Sequence, residues 1–258
     1  MFDTHCHLTF AQLLDRVDEV VASAAAAGVD RLVTVGTTPA DVATARRVAE
    51  SRANVWFTAG VHPHYGERYG VDALPALGEA AGSGKCAAFG EMGVDYHYPE
   101  PAPENQRALF EAQLAMVEAS GLNKPIVIHC RKAVDDVIGI IRASGLGGER
   151  FVFHCFTEPP DECRKVLDLG AMVSFTGIVT YRNAPEARAS AELVPADRIM
   201  VETDAPYLTP EPHRKVKPNE PKFVVETARF LAELRGEDEA SFIAQCDANA
   251  ERFFDATQ

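Results

Sequence analysis

Short runs of apolar and β-branched residues recur along the chain, separated by longer stretches with helical spacing. The runs are MFDTHCHL at the start, RLVTVGT from Arg31, VWFTAGV from Val55, CAAFGEMG from Cys86, PIVIHC from Pro125, FVFHC from Phe151, AMVSFTG from Ala171 and RIMVETD from Arg198. Each has the length and residue types of a strand. Between them apolar residues return at offsets of three and four, as at Phe110, Leu114 and Val117, or at Phe223, Thr227, Phe230, Leu231 and Leu234, which predicts amphipathic helices. Eight strands alternating with helices imply a parallel sheet with right-handed crossovers, and 258 residues is the size of a closed (β/α)8 TIM barrel. A doubly wound open sheet is the competing α/β architecture. Against it, no glycine-rich phosphate fingerprint follows any strand, and GSGK from Gly82 lacks the spacing of a P-loop. No tandem repeat, low-complexity tract or Pro/Ser-rich linker divides the chain, so residues 1–258 are read as one TIM-barrel hydrolase domain.

If residues 2 to 8 are extended, a period of two puts Asp3, His5 and His7 on one face and Thr4, Cys6 and Leu8 on the other. Two histidines near a terminus are ordinarily surface residues. The later runs change that reading: Glu91, His129, His154 and Asp204 stand at or near the C-terminal ends of the fourth, fifth, sixth and eighth. In a barrel those ends meet on one face, where active sites are built. Four histidines and two carboxylates are costly to bury unpaired, and a divalent metal satisfies them together. Imidazole and carboxylate without thiolate suit zinc, manganese or magnesium, and a carboxylate between two imidazole pairs can bridge two ions. Cys6, Cys130 and Cys155 each adjoin one of these histidines, but alternation turns them outward, toward the helices, as small apolar groups. Cys86, Cys163 and Cys246 have no ligand-like neighbours.

Composition narrows the setting. No run of about 18 apolar residues occurs, which excludes a membrane helix. The first residues lack the basic head and apolar run of a signal peptide, and the six cysteines contain no CxxC, so free thiols and a cytoplasmic location are expected. Lys+Arg 25 against Asp+Glu 38 gives a net charge of -13, which argues against coating nucleic acid by bulk electrostatics. A polyanionic substrate has to be attracted locally. The segment HRKVKPNEPK from His213 is the most loop-like long connection and carries a local positive excess. No obligate protein partner is evident.

The blocks DTHCHL, GVHPH from Gly60, GEMGVDYH from Gly90, IHCRKA from Ile128, HCFT from His154 and ETDAPYLTP from Glu202 resemble, in order, the signature of the TatD family of metal-dependent deoxyribonucleases. The likeness runs from Phe2 to the closing NAERFF at Asn249. It implies a TIM barrel of the wider amidohydrolase-type group with two divalent metals: His5, His7, Glu91 and Asp204 around one, and Glu91, His129 and His154 around the other. The implied activity is hydrolysis of phosphodiesters in DNA or RNA, exonucleolytic on single strands, by metal-activated water. Asp204 and Glu91 are then the catalytic candidates, Asp204 orienting the water and accepting its proton. Two departures stand out. The family's HCFSG is HCFTE here, with Glu158 replacing a glycine, and KRNEP is KPNEP.

Other positions carry weaker expectations. His62 is placed to reach a phosphate oxygen or the leaving group, and Arg131 to hold a nucleic-acid backbone. Lys132, Arg214, Lys215 and Lys217 are either solvated charges or backbone contacts. Asn219 is a turn residue or, as the family pattern suggests, a substrate contact. His64 is read as a loop histidine, Asp95 and Tyr96 as residues that hold the fourth loop, Glu202 as a hydrogen-bonding support, and Trp56 as core. Related barrels hydrolyse cyclic amides, lactones or phosphotriesters, commonly with a carboxylated lysine at the end of strand four. Glu91 stands there instead, which favours the phosphodiester. A phosphoesterase of the polymerase-and-histidinol-phosphatase type would show further ligand motifs, and a non-catalytic metal-binding protein has no support in a chain whose ligand set is intact.

Overall fold

The computed structural model describes residues 1–255. Its strands are β1 (Phe2–Cys6), β2 (Arg31–Thr34), β3 (Val55–Ala59), β4 (Cys86–Asp95), β5 (Ile126–Arg131), β6 (Phe151–Phe153), β7 (Met172–Phe175) and β8 (Ile199–Val201). They pair in parallel in chain order, so each apolar run of the sequence is a strand of one eight-stranded sheet. Helices follow the strands and form the outer layer. Four of them, Pro39–Glu50, Pro103–Ser120, Pro160–Leu169 and Pro185–Leu193, begin on a proline whose missing N–H costs a helix nothing at its first position. The helices Pro103–Ser120, Val134–Ser144, Pro160–Leu169 and Val224–Arg235 stop at Gly121, Gly145, Gly170 and Gly236, each in the left-handed region. Helix Pro103–Ser120 buries Phe110, Leu114 and Val117 as their spacing predicts. In Val224–Arg235 the buried stripe is Val224, Thr227, Ala228 and Leu231, rotated from the larger Phe223, Phe230 and Leu234, which are only half-buried.

Two apolar clusters separate the layers. The larger packs outward-facing strand residues such as Leu32, Phe57, Ile128, Phe153 and Phe175 against the helices. The smaller fills the barrel with Val33, Val127, Val152, Met172 and Met200, and is capped below by Phe2, Trp56, Phe254 and Phe253. Two residues further along β5, β7 and the run of β8 the inward positions become polar, at His129, Ser174 and Glu202. The barrel is therefore a dry plug at one end and a polar floor at the other.

The ring closes between β1 and the segment after β8. Asp204 N donates to His5 O at 2.8 Å, and His7 N donates to Ala205 O at 2.7 Å. The seam of the barrel thus passes through three of the candidate ligands.

Two expectations from simple alternation fail because the backbone is irregular, and one strand extends past its apolar run. β1 holds one more residue than β2 between Asp3 and Cys6, a bulge that resets the alternation. Phe2 and Thr4 face the interior below it and His5 and His7 above it, while Asp3, expected on their face, turns to Thr203. β4 continues to Asp95, so Glu91 sits within the strand and not at its end. Cys155 lies beyond β6 with φ 47°, where alternation no longer applies, and both it and Cys130 reach the cavity wall. Of the three thiols expected to point outward, only Cys6 packs wholly in the outer cluster.

β4 passes its neighbours closely on either side of Glu91. Gly90 has φ 113° and Gly93 φ 144°, and a Cβ on Gly93 would lie 2.0 Å from His129 O. Gly93→Ala is expected to lower stability by at least about 2 kcal/mol, through overpacking and an unfavourable φ. Gly139, in the exposed middle of Val134–Ser144, has nothing within 4 Å of a built Cβ, so Gly139→Ala is expected to gain about 0.5–1 kcal/mol. Urea midpoints of the two variants check both signs.

Candidate metal centre

The functional end of the barrel holds a cavity of about 720 Å³ whose lining includes His7, His62, Glu91, His129, His154 and Asp204. His5 lies just beneath, fully buried. Glu91 divides the cluster. Its Oε1 is 2.7 Å from His154 Nε2, 2.8 Å from His129 Nδ1 and 3.5 Å from His62 Nε2. Its Oε2 is 3.5 Å from His5 Nε2, which faces His7 Nε2 at 3.3 Å. Asp204 Oδ1 completes that second group, 3.2 Å from His7 Nε2 and 3.6 Å from His5 Nε2.

These contacts fit a metal. His5 and His7 are buried, and their Nδ1 atoms have no hydrogen-bond partner. Their polar surroundings lie almost wholly at Nε2, where two nitrogens and a carboxylate oxygen converge. Imidazole nitrogens facing one another at 3.2 to 3.3 Å recur among His62, His129 and His154. Lone pairs converge in this way only around shared protons or a cation, and all the donors are nitrogen or oxygen. The groups His5–His7–Asp204, His5–Glu91–His154 and His62–Glu91–His129 each bring three ligand atoms within reach of one ion.

Electrostatics point the same way. Burial opposes charge on Glu91, but the charge on His154 and the hydrogen bonds from His129 and His154 outweigh it and hold the carboxyl well below its ordinary range. Asp204 is likewise lowered, against burial, chiefly through His7. Burial depresses His5, with the neighbouring His154 charge adding to the effect. His154 goes well above the usual imidazole value because Glu91 and Glu202 override its burial, and His7 and His129 are raised by Asp204 and by Asp95 with Glu91 respectively. Without a cation the site keeps its carboxylates charged and favours the protonated forms of His7, His129 and His154.

Supporting groups orient the rings. His129 Nε2 donates to Asp95 Oδ2 at 3.0 Å, which leaves Nδ1 to face Glu91. Asp95 also binds His64 Nε2 at 2.9 Å, and its backbone is clasped by the amide of Gln106. His64, read from sequence as an ordinary loop residue, therefore lines the cavity and braces Asp95. Glu202 Oε1 accepts from Cys155 N at 2.6 Å and lies 3.5 Å from His154 Nδ1, while its Oε2 accepts from Ser174 Oγ at 2.7 Å. His62 Nδ1 accepts from His64 N at 3.1 Å, which leaves the ring proton on Nε2, aimed into the cluster.

The remaining predictions divide. Arg131 lines the cavity, its guanidinium 5.6 Å from the Tyr98 ring centroid. Asn219 does not. It is fully buried, and its Nδ2 donates to Thr203 O and Tyr207 O, so it braces the turn after Asp204 from behind. An asparagine inside an irregular loop can satisfy backbone carbonyls that no regular structure reaches, and that is its use here. Glu158, in place of the family glycine, accepts from Lys132 N at 2.7 Å and ties the loop after β6 to that after β5. Lys132, Lys215 and Lys217 are exposed. Arg214 stacks on Tyr181, 3.4 Å from the ring centroid. Sequence reasoning missed Phe10, Tyr98 and Tyr207 as cavity residues. Their positions in LTF, YHY and APYL lie one to four residues past recognised ligands or supports, which was the available signal.

The profile of the TatD related DNase family matches residues 2–255. An uncharacterized metal-dependent hydrolase of Escherichia coli, YcfH, is 40% identical over 240 residues, covering 92% of this chain and 88% of its own. The 3'-5' ssDNA/RNA exonuclease TatD of Klebsiella pneumoniae is 36% identical over 258 residues, covering 98% and 97%. The crystal structure of YJJV, a TatD homolog from Escherichia coli, superposes with a TM-score of 0.92 at 25% identity, covering 99% of this chain and 98% of its own. No helix among the described residues is long and apolar enough to cross a membrane.

Because His7, His129 and His154 bind protons more tightly here than at the usual pKa of about 6.5, a metal has to displace them. Affinity for Zn or Mn is expected to fall as pH is lowered from 8 to 6. Calorimetry in buffers of differing ionisation enthalpy should show proton release on loading. In metal-free protein the sign reverses: the stability these imidazoles contribute is complete below the ordinary pKa and is lost as pH rises through the raised values. A metal affinity independent of pH would contradict the arrangement.

Proposed function

The chain belongs to the TatD related DNase family of metal-dependent hydrolases, and from that premise we propose that it removes nucleotides from the end of single-stranded DNA or RNA by hydrolysing the terminal phosphodiester. The observation that carries this reading is the division of ligand atoms about Glu91, whose Oε1 faces His129 and His154 and whose Oε2 faces His5. The residues offered are His5, His7, Glu91 and Asp204 for one ion, and Glu91, His129 and His154 for the other. Two divalent cations held there supply the positive charge that acidifies water and draws electron density from the phosphodiester oxygens.

The chain's own groups do the rest. Asp204 is the most open of the cluster carboxylates, its side chain 15% exposed against 2% for Glu91. It sits at φ 54°, a left-handed conformation that costs free energy and is held by the seam bond from its N–H to His5 O. Kept ionised by His7, it is the group able to orient a water molecule and take its proton as oxygen attacks phosphorus. His62, with its ring proton on Nε2, donates to a phosphate oxygen from the far side of Glu91. Burial holds its pKa well below the ordinary value, so it acts as a neutral donor and adds no charge beside the cations. Arg131 supplies a charge-assisted contact to the backbone beyond the scissile phosphate.

Purified protein stripped by chelator should be inert, and addition of Mg, Mn or Zn should restore metal-dependent loss of terminal nucleotides from labelled single-stranded DNA or RNA. Turnover of a phosphotriester alone would move the assignment to another ester. Asp204→Asn is expected to reduce turnover about a thousandfold, the middle of the range for general base catalysis, with circular dichroism unchanged. Retained activity would remove Asp204 from proton transfer.

A further inference from the structure

The cavity's rim is unlike its floor. Among the described residues the large apolar side chains left exposed are Val71, Tyr98, Leu193, Tyr207 and Val216, and of these only the two tyrosines line the cavity. Tyr98 follows β4 and Tyr207 follows β8, so in a ring of eight strands they stand on opposite walls with Glu91 and its histidines between them. Each is backed by another ring. Tyr207 meets the edge of Phe10 at 6.1 Å and 73°, and Phe10 in turn stacks on His7 at 4.5 Å and 16°. Tyr98 meets His64 edge-on at 5.4 Å and 79°, with the Arg131 guanidinium 5.6 Å from its centroid. Edge contacts of this kind fix the plane of a ring while leaving a face uncovered, and Tyr98 and Tyr207 are 49% and 48% exposed. No packing role accounts for two half-exposed aromatic rings on the wall of a polar cavity.

We infer that Tyr98 and Tyr207 are paired stacking platforms, each holding one of the two nucleobases that flank the phosphate lying on the floor. The inference rests on the nucleic-acid reading above and deepens it, because it says which strands the site accepts. Bases stack on tyrosine only when they are free to splay from a partner, so the walls select unpaired ends. Every base offers a π-face, so selection is by strandedness and not by sequence. A pre-fixed ring loses little freedom on binding, which suits a site that must hold its substrate against a chain carrying net charge -13.

The test compares wild type with Tyr98→Leu and Tyr207→Leu on two kinds of single-stranded oligonucleotide. One is intact, and the other carries an abasic spacer at the terminal or penultimate position. Each leucine variant is expected to raise KM for the intact strand about tenfold, the size of one lost base–aromatic stack. For wild type, a spacer at one position should cost the same factor. For the variant of the matching wall, that spacer should cost less than twofold. Tyr98→Phe and Tyr207→Phe should keep the wild-type KM, since the ring and not the hydroxyl carries the contact. The spacer comparison on wild type needs no variant, so a misfolded substitution leaves the test intact. Wild type that degrades the intact strand yet ignores the loss of either base overturns the platforms while the nuclease reading survives. Wild type that degrades neither strand removes that reading and the platforms with it.

Discussion

The carboxylate of Glu91 has to stay charged in a place with almost no access to water, and much of the barrel's irregularity serves that requirement. A buried carboxylate without compensation takes up a proton and ceases to be a ligand. Here it is held ionised by imidazoles that approach both oxygens, delivered from β1, β5 and the segments after β3 and β6. Bringing four elements to one side chain needs β4 to pass its neighbours more closely than a regular strand allows. Gly90 and Gly93 meet that need with backbone angles and clearances that a side chain could not share.

A second tier of buried carboxylates keeps those imidazoles in register. Asp95 fixes the tautomer of His129, and Glu202 holds the backbone of Cys155 and so the turn that carries His154. Asp3 accepts from Thr203 N and Oγ1 and sets the turn before Asp204. Its environment differs from theirs. No cation lies against it, and burial pushes its carboxyl up to about 8 despite the Thr203 bonds. The two tiers therefore differ in what they exchange: the inner one is built to trade protons for metal, the outer one to hold geometry. Barrel closure belongs to the same system, since the two bonds that join β1 to the segment after β8 also set His5, His7 and Asp204 side by side.

The chain's charge and its proposed substrate stand in tension that the site resolves locally. Acidic residues dominate overall, yet Glu91 and Asp204 have their charges met inside the cluster, and the cavity wall carries the guanidinium of Arg131. Aromatic surface on the rim adds attraction that does not depend on charge and is not weakened by salt as a phosphate contact is. A site so arranged suits a short stretch of unpaired chain end better than a long duplex.

Strand number, order and type were legible in the sequence because a parallel barrel buries both faces of every strand, which writes eight unmistakable apolar runs into the chain. Six ligand candidates were legible too, since each is a polar residue in or just past such a run. What the tertiary structure alone decided is which faces and partners those residues have. The β1 bulge took Asp3 off the face shared by His5 and His7, the length of β4 put Glu91 inside a strand, and the left-handed turn at Cys155 brought a thiol to the cavity wall. Asn219 turned out to brace a loop, and Tyr98 and Tyr207 came to line one cavity from segments 109 positions apart in the chain. Periodicity describes regular backbone, whereas these positions depend on irregular backbone and on closure of the ring, both of which are set by contacts between residues far apart along the chain.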